Sequence, residues 1–460
     1  MAAVAAASGS WRGPVGDSVY KKCAIRLLPV LAIFYVLAYI GRSNLGYAAL
    51  SMNEELGISA AAYGLVAGIF FIGYFVFEVP SNIIMDKVGA RKWIARILVS
   101  WGIIVMLMGS IQNVWALYVF RFLVGVAEAG FFPGVILYLS HWFLGRDQAK
   151  VVAMFMLAIP VSYMIGAPLS GWISDNVHWF GLSSWRWIFI LEGLPSIIGG
   201  IVCLKVLPDA PSSVKWLTDE EKHWLEVSLK AERELKPVQA KKYFSKEAFF
   251  NYRMWILLIV YFAVELGEYG LGFWTPLIID NLGGLSATEV GLMTAATYVL
   301  GAIVMVIWSH HSDKQRERRW HCVIPLVACA IAMATIGYFT GSIASVVMLA
   351  VIIACVYALF GPFWSLTDYY LTGPAAAVGI AMVNSFGNLA GFVSPTLIGV
   401  AQEQTGQEFA GFVFIGAFML VAAVLVFVFV KNSELRKMED EAAAVVVAQA
   451  HAAAEKELAE

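Results

Sequence analysis

Arg121-Phe-Leu-Val-Gly125-Val-Ala-Glu128-Ala-Gly-Phe-Phe-Pro133-Gly134 places two opposite charges inside an apolar run that reaches from about Val114 to Leu139. The run is long enough to cross a bilayer, so it reads as a membrane-spanning helix. At ~100° per residue, seven positions put Arg121 and Glu128 on one helix face, roughly 10 Å apart along the axis. That is too far for a close pair within the helix, so each group needs its own partner: another helix, water or a ligand. A charge at mid-membrane costs at least ~2.5–3.5 kcal/mol on insertion scales, which marks the face as functional. A buried ion pair to another helix is the structural alternative. Gly125 shares the face and lets a neighbouring helix or a solute approach closely.

Working outward, the same texture continues. Of 460 residues, 60% are hydrophobic and only 14% charged, with a mean hydropathy of +0.74. A soluble chain of this length would carry about 25% charged residues and divide into several domains. Here the apolar residues fall into twelve runs, at roughly 25–50, 61–85, 93–111, 114–139, 149–173, 186–207, 254–280, 287–309, 321–340, 344–366, 375–400 and 409–431. The expected fold class is an all-α membrane protein with twelve transmembrane helices. A net charge of −2 excludes a nucleic-acid binder, so nucleic acid is not an expected partner; the lipid bilayer is. The five cysteines are scattered without CxxC spacing and read as small buried hydrophobes, with no metal site. No cofactor is expected beyond a coupling proton.

Lys and Arg set the orientation. Of 31 such residues, only Arg42, Arg121 and Arg186 fall outside the segments that a termini-inside arrangement places in or beside the cytoplasm. The outer loops carry Glu54, Glu55, Asp175, Asp280, Glu403 and Glu408 instead. Residues 1–20 are Ala/Gly/Ser-rich and read as a disordered N-terminus, with no cleavable leader after them. Residues 21–207 form a first six-helix half, 208–253 a cytoplasmic linker, 254–431 a second half, and 432–460 a cytoplasmic tail. In the linker, Thr218-Asp-Glu-Glu221 is a capping box that opens a short amphipathic helix. Met85-Asp86-Lys87-Val88-Gly89-Ala90-Arg91-Lys92 follows the second run, and Ser312-Asp313-Lys314-Gln315-Arg316 follows the eighth, 227 residues later. That offset is what two pseudo-symmetric halves predict. Asp86, Arg91 and Asp313 are assigned to gating: an acid beside a basic cluster pairs with helix ends and breaks as the halves rock.

Arg42 and Arg121 both lie nearer the outer ends of their runs and are expected to face one cavity. Guanidinium suits bidentate capture of a carboxylate and stays charged when desolvated. Two of them indicate a dicarboxylate, or one carboxylate plus a second anionic or hydroxyl-bearing end. Glu128 is the expected proton carrier, loading with the anion so that the cavity is neutralised before it reorients. Glu265 and Glu268 are one turn apart on one face, and proton-carrying and structural readings are even for them. Glu192, beside Arg186, and Glu78 are expected to pair structurally. Pro160, Gly166, Pro168, Gly387, Gly391 and Pro395 mark bending helices. Trp274, Phe363, Trp364 and Phe386 either wall an aromatic substrate or pack against lipid.

Twelve runs, the mid-chain linker and Asp86-Lys-x-Gly-x-Arg91-Lys92 together resemble the major facilitator superfamily. Longer strings narrow the resemblance. Phe70-Phe-Ile-Gly-Tyr74-Phe-Val-Phe-Glu78-Val-Pro80, Arg121 to Gly134, Trp185-Arg186-Trp-Ile-Phe-Ile-Leu-Glu192-Gly, Tyr269-Gly-Leu-Gly-Phe-Trp274-Thr-Pro276 and Asn384-Ser-Phe-Gly387-Asn388 are similar to the anion:cation symporter family. That family carries tartrate, phthalate, hydroxyphenylacetate, sugar acids and allantoate. The resemblance implies a proton-coupled importer of a small organic anion, a monomer in the plasma (cell inner) membrane. It implies substrate-side arginines at Arg42 and Arg121, a coupling carboxylate at Glu128, a pocket tyrosine at Tyr74, and polar pocket positions at Asn384 or Asn388. One departure stands out: the family usually has Asp-Arg where this chain has Gly41-Arg42. Glu265, Glu268 and Asp368 sit where the family is more often neutral; either one of them substitutes as a proton carrier, or the stoichiometry is lower, or coupling is lost. An exchanger or exporter is the alternative within transporters, and a non-transporting anion sensor the alternative outside them. No catalytic motif stands in the chain, so an enzyme is not expected.

Overall fold

The computed structural model describes residues 12–235, 252–370, 376–407, 409–434 and 436–437, and these are helical apart from short turns and connections. The first group of helices is α1 (Gly13–Leu56), α2 (Ala60–Val88), α3 (Ala90–Met108), α4 (Val114–Glu128), α5 (Phe131–Leu139), α6 (Gly145–Met156), α7 (Ala158–Asn176) and α8 (Ser184–Val206). A connecting helix α9 (Asp219–Leu235) follows. The second group is α10 (Tyr252–Asp280), α11 (Ala287–Gln315), α12 (Arg319–Thr335), α13 (Ile343–Tyr370), α14 (Ala376–Thr405) and α15 (Ala410–Phe429). Among the described residues, ten helical stretches are long and apolar enough to cross a membrane, α4 and α5 counting as one such stretch. The 19-residue α3 and 30-residue α14 run alongside them without belonging to that set. The twelve-span count therefore stays an expectation.

The stretch that decides the fold is not one continuous helix. It breaks after Glu128, where Ala129 turns extended (φ −51°, ψ 130°) and Gly130 takes φ +85°. Only glycine adopts that conformation without strain, and a Cβ there would also stand 2.5 Å from Ser81 Oγ. Glu128 is thereby the last residue of α4, at the depth of the break. Upstream, a Cβ on Gly125 would lie 2.0 Å from the Phe70 carbonyl oxygen, and one on Gly73 would lie 2.4 Å from the Phe122 carbonyl oxygen. Two missing side chains thus let α2 and α4 touch backbone to backbone. Of the two approaches expected at Gly125, the neighbouring helix is the one made.

Helix α1 corrects the N-terminal reading. It begins at Gly13, inside the stretch 1–20 read from sequence as disordered; residues 1–11 lie outside the described residues. Its 44 residues extend ~66 Å, about twice a hydrocarbon core, so its first turns project beyond the span. There α9 holds it. Lys22 Nζ and Ser18 Oγ donate to Glu221 Oε1, both at 2.7 Å, and Trp224 fills the space beside Gly16. The capping box is present: Glu221 N–H donates to Thr218 Oγ1 at 3.2 Å, and Thr218 N–H to Glu221 Oε2 at 2.8 Å. The rest of the linker, 236–251, and the tail beyond 437 fall outside the described residues.

The two groups of helices meet at two seams, α2 against α14 and α7 against α11. Glycines make both possible. A Cβ on Gly64 would lie 2.3 Å from the Pro395 carbonyl oxygen, one on Gly399 2.2 Å from that of Ala60, one on Gly171 2.2 Å from that of Ala287, and one on Gly291 2.3 Å from that of Ala167. Gly64 and Gly291 are 227 positions apart, the spacing of the two Asp-basic loops, and Gly171 and Gly399 are 228, one residue more. Each seam ends in a carboxylate on a helix N-terminus. Asp175 accepts from the N–H groups of Ala287 and Thr288, at 3.0 and 2.7 Å; Glu403 accepts from Ala61 N–H at 2.9 Å. Tyr63 O–H donates to the Phe273 carbonyl at 2.9 Å. All of these lie at the end remote from the basic loops, which is closed. Toward the other end, the one hydrogen bond between the groups among the described residues is Ser385 Oγ to Glu78 Oε2, at 3.4 Å.

Candidate functional site

Between the two groups lies a narrow cavity of about 30 Å³ that opens at one side. Helix α1 lines it with Tyr35, Tyr39 and Arg42, α2 with Tyr74, and α5 to α7 with Phe132, Met156 and Ile159. From the second group come Tyr261, Glu265, Glu268 and Tyr269 on α10, Phe360 on α13, and Asn384 and Asn388 on α14. Helical spacing explains the sets. Tyr35, Tyr39 and Arg42 step by four and three along one face of α1, and Tyr261, Glu265 and Tyr269 step by four along α10.

Arg42 is the cation of the cavity. It is 7% exposed, and its terminal nitrogen donates to Glu128 Oε1. Its guanidinium carbon stands 4.7 Å from the Tyr39 ring centre, 5.0 Å from that of Phe70 and 5.8 Å from that of Tyr74, a desolvated cage of π faces. Arg42 Nε and Glu128 Oε2 have no hydrogen-bond partner. The partner that Glu128 needs is thus another helix, with one donor and one acceptor left over.

Arg121 is elsewhere, and this corrects the expectation of two guanidinium groups sharing one cavity. It is fully buried, packed against the Phe70 and Phe273 rings at 5.2 and 5.8 Å, with Nε donating to the Val66 carbonyl at 3.4 Å. Both of its terminal nitrogens lack partners. It reaches Glu128 through charge alone. The Phe70 ring stands beside both guanidinium groups, 5.0 Å from that of Arg42 and 5.2 Å from that of Arg121.

Glu265 and Glu268 do line the cavity, each 3% exposed. Glu265 interacts with the hydroxyls of Tyr261 and Tyr269, whereas Glu268 Oε1 has no hydrogen-bond partner. Tyr269 O–H donates to Asn388 Oδ1 at 3.1 Å, and Asn384 and Tyr74 line the wall beside them. The Asp368 side chain lies outside the described residues. At Gly41 a Cβ would stand 3.1 Å from Trp101 Nε1, so an indole occupies the space where an aspartate side chain would begin.

Other expected pairings fall differently. Glu192 is not paired with Arg186; it accepts from Ser170 Oγ at 2.6 Å, while Arg186 bonds Glu55 at 3.1 Å. Among the described residues Glu78 has no basic partner, and its side chain accepts from Ser385. Arg91 pairs with Asp209 at 2.7 Å and Asp313 with Arg318 at 2.8 Å, each within its own group of helices, and Asp86 is exposed. Of the four aromatic candidates, Phe363 and Trp364 back Tyr261 from behind, Trp274 packs edge-on to Tyr63, and Phe386 is 41% exposed. None of them lines the cavity. Tyr35, Tyr39, Tyr261 and Tyr269 do, and were not singled out as site residues; the four-residue spacing of tyrosines around Arg42 and Glu265 was the available signal.

Residues 31–395 match the family model of the Major Facilitator Superfamily. Over 419 residues the chain is 43% identical to a protein of Agrobacterium vitis named "Putative tartrate transporter", covering 90% of this chain and 92% of that one. It is 39% identical over 421 residues to a "Quinolone resistance transporter" of Acinetobacter baumannii, covering 92% and 97%. Its fold is similar to the crystal structure of a bacterial homologue of the human lysosomal transporter Spinster, with a TM-score of 0.73, 16% identity, and coverage of 92% and 98%. With a family match over most of its length and relatives named as transporters, the chain belongs to the major facilitator superfamily, among its anion:cation symporter-type permeases, and is a multi-pass membrane transporter rather than an enzyme.

Proposed function

We propose that the chain is a monomeric, twelve-span importer of the plasma (cell inner) membrane, with both termini cytoplasmic, that carries a small organic carboxylate together with protons. The observation that carries the reading is the pairing of Arg42, which lines the cavity, with Glu128, which lies behind it outside the lining. While Glu128 is ionised it occupies the guanidinium. When Glu128 takes a proton, Arg42 is released to grip a carboxylate with its free donors. Anion and proton then load together, and neither enters the empty pair without the other. An anion moving inward against ~100 mV loses ~2.3 kcal/mol per charge, which co-transported protons supply.

Gly41 removes the acid that related carriers place beside the arginine, and the acids available in its stead are Glu265 and Glu268. Because Arg42 is the one basic residue lining the cavity among the described residues, the substrate is a monocarboxylate with a polar far end, held there by Tyr269, Asn384 and Asn388. Arg121 joins the site when the seams part, since its unpartnered donors lie on the other side of the Phe70 ring from Arg42. The test is uptake of hydroxyphenylacetate and a monocarboxylate sugar acid into proteoliposomes under an imposed pH gradient, with the dicarboxylate tartrate expected to be the poorer substrate. Gradient-driven accumulation that collapses in Glu128→Gln, with exchange of trapped substrate surviving, supports symport. Wild-type uptake indifferent to the gradient sinks it. The quinolone-resistance relative favours an exporter as the second reading, which the same assay recognises as outward proton-coupled flux.

A further inference from the structure

We infer that the α10 face of the cavity is a subsite for a positively charged nitrogen, so that the preferred substrate is a carboxylate bearing an ammonium-type group at its far end. The inference rests on the reading that Arg42 takes a carboxylate.

The charge arrangement carries it. Among the described residues Arg42 is the single basic residue of the cavity lining, and it already faces Glu128. Two further carboxyls, Glu265 and Glu268, project from α10 into the same space, both 97% buried. A second carboxylate on the substrate would be delivered to two carboxyl groups whose one nearby cation among the described residues, Arg42, is already bonded to Glu128. A cationic nitrogen would meet two acceptors, one of which, Glu268 Oε1, has no other hydrogen-bond partner. The flanking surfaces suit it as well. Tyr261 and Tyr269 border the acids on α10, and Tyr35 and Tyr39 come from α1, so aromatic faces surround the place where the charge would sit. Glu265 is engaged by the Tyr261 and Tyr269 hydroxyls and by Glu268, which leaves Glu268 Oε1 as the open acceptor of the pair. An acid needed only for packing would be satisfied by a neighbouring helix; this pair shares the solute-facing side of its helix instead.

Two matched trios test the subsite on the purified full-length protein in nanodiscs, by calorimetry. One is 4-(aminomethyl)benzoate, 4-(hydroxymethyl)benzoate and terephthalate; the other is 4-aminobutyrate, 4-hydroxybutyrate and succinate. Within each trio only the charge of the far end changes. In at least one trio the ammonium member is expected to bind ~10-fold or more tightly than the hydroxyl member, and the dicarboxylate most weakly. Glu268→Gln and Glu265→Gln should each shrink the ammonium-to-hydroxyl ratio, the former nearly to one. A dicarboxylate that binds as well as the ammonium compound, or a ratio that survives in both variants, overturns the inference. If hydroxyl and dicarboxylate members bind and are lost in Arg42→Ala, the carboxylate reading stands while the subsite falls. If Arg42→Ala leaves all binding intact, or none of the six compounds binds, both fall.

Discussion

Replacing Asp175 by Asn should loosen the closed end of the transporter by a measurable amount. Asp175 ends α7 in the first group of helices and accepts three hydrogen bonds from the start of α11 in the second: two backbone N–H groups, at 3.0 and 2.7 Å, and the Thr288 hydroxyl. The amide keeps one acceptor oxygen but loses the negative charge that complements the α11 N-terminus. Capping and dipole terms of this kind amount to about 1 kcal/mol at an exposed site, an ~5-fold shift in the equilibrium between closed and open ends. Thr294→Cys is a suitable reporter. Thr294 lies two turns into α11 and is 1% exposed, so a membrane-impermeant maleimide reaches it from that side only when the seams part. Cys23, Cys203, Cys322 and Cys329 are buried, and Cys355 can be replaced by Ser. Labelling should accelerate ~5-fold in Asp175→Asn, and further when Glu403→Gln removes the matching carboxylate of the other seam. Unchanged labelling in both the single and the double variant would refute the seam as the energetic lock.

Three further outcomes are expected. Gly125→Ala drives a Cβ to 2.0 Å from a backbone oxygen that cannot rotate away, so it should lower thermal stability by ~1–3 kcal/mol; Gly337→Ala, whose nearest contact is 3.6 Å, is the near-neutral control in the same melt. Burial opposes ionisation of Glu221, but bonds from Lys22, Ser18 and the Thr218 N–H prevail and hold its pKa at about 2, against 4.5 for an ordinary glutamate. A depressed carboxylate stabilises above its unfolded value and loses that contribution as pH falls from about 4.5 toward about 2. The advantage of wild type over Glu221→Gln, roughly 1 kcal/mol after solvent screening, should therefore be full at pH 7 in thermal melts and fade over that window. Arg42→Lys keeps the charge but loses the planar fork, so carboxylate affinity measured by calorimetry should drop about tenfold or more, and equal affinity would argue against bidentate capture.

What could be read along the chain was what depends on local pattern. Apolar run length announced a membrane-spanning helical bundle, since a bilayer tolerates little else. The Thr218–Glu221 capping box is a contact three residues long, so it was visible as letters and is present as bonds. The 227-residue repeat of the Asp-basic loops was also legible, and it extends to the seam glycines, whose meaning was hidden until their partners were known. Helix periodicity put Glu265 and Glu268 on one face but could not say what that face looked at.

Tertiary structure alone decided which charges meet. From sequence, Arg121 and Glu128 stood as the central pair of features on one helix, with Arg42 joining Arg121 across a cavity. In the fold, glycine contacts at Gly73 and Gly125 press α2 onto α4, and the Phe70 ring comes between the two arginines. The φ +85° turn at Gly130 ends α4 at Glu128, where Arg42 takes its carboxylate. The identity of each buried ion was written in the chain, because burying a charge in a membrane is too costly to be incidental. Its partner was not, because pairing across helices depends on rotations and depths that backbone-to-backbone packing fixes only after the whole bundle has assembled.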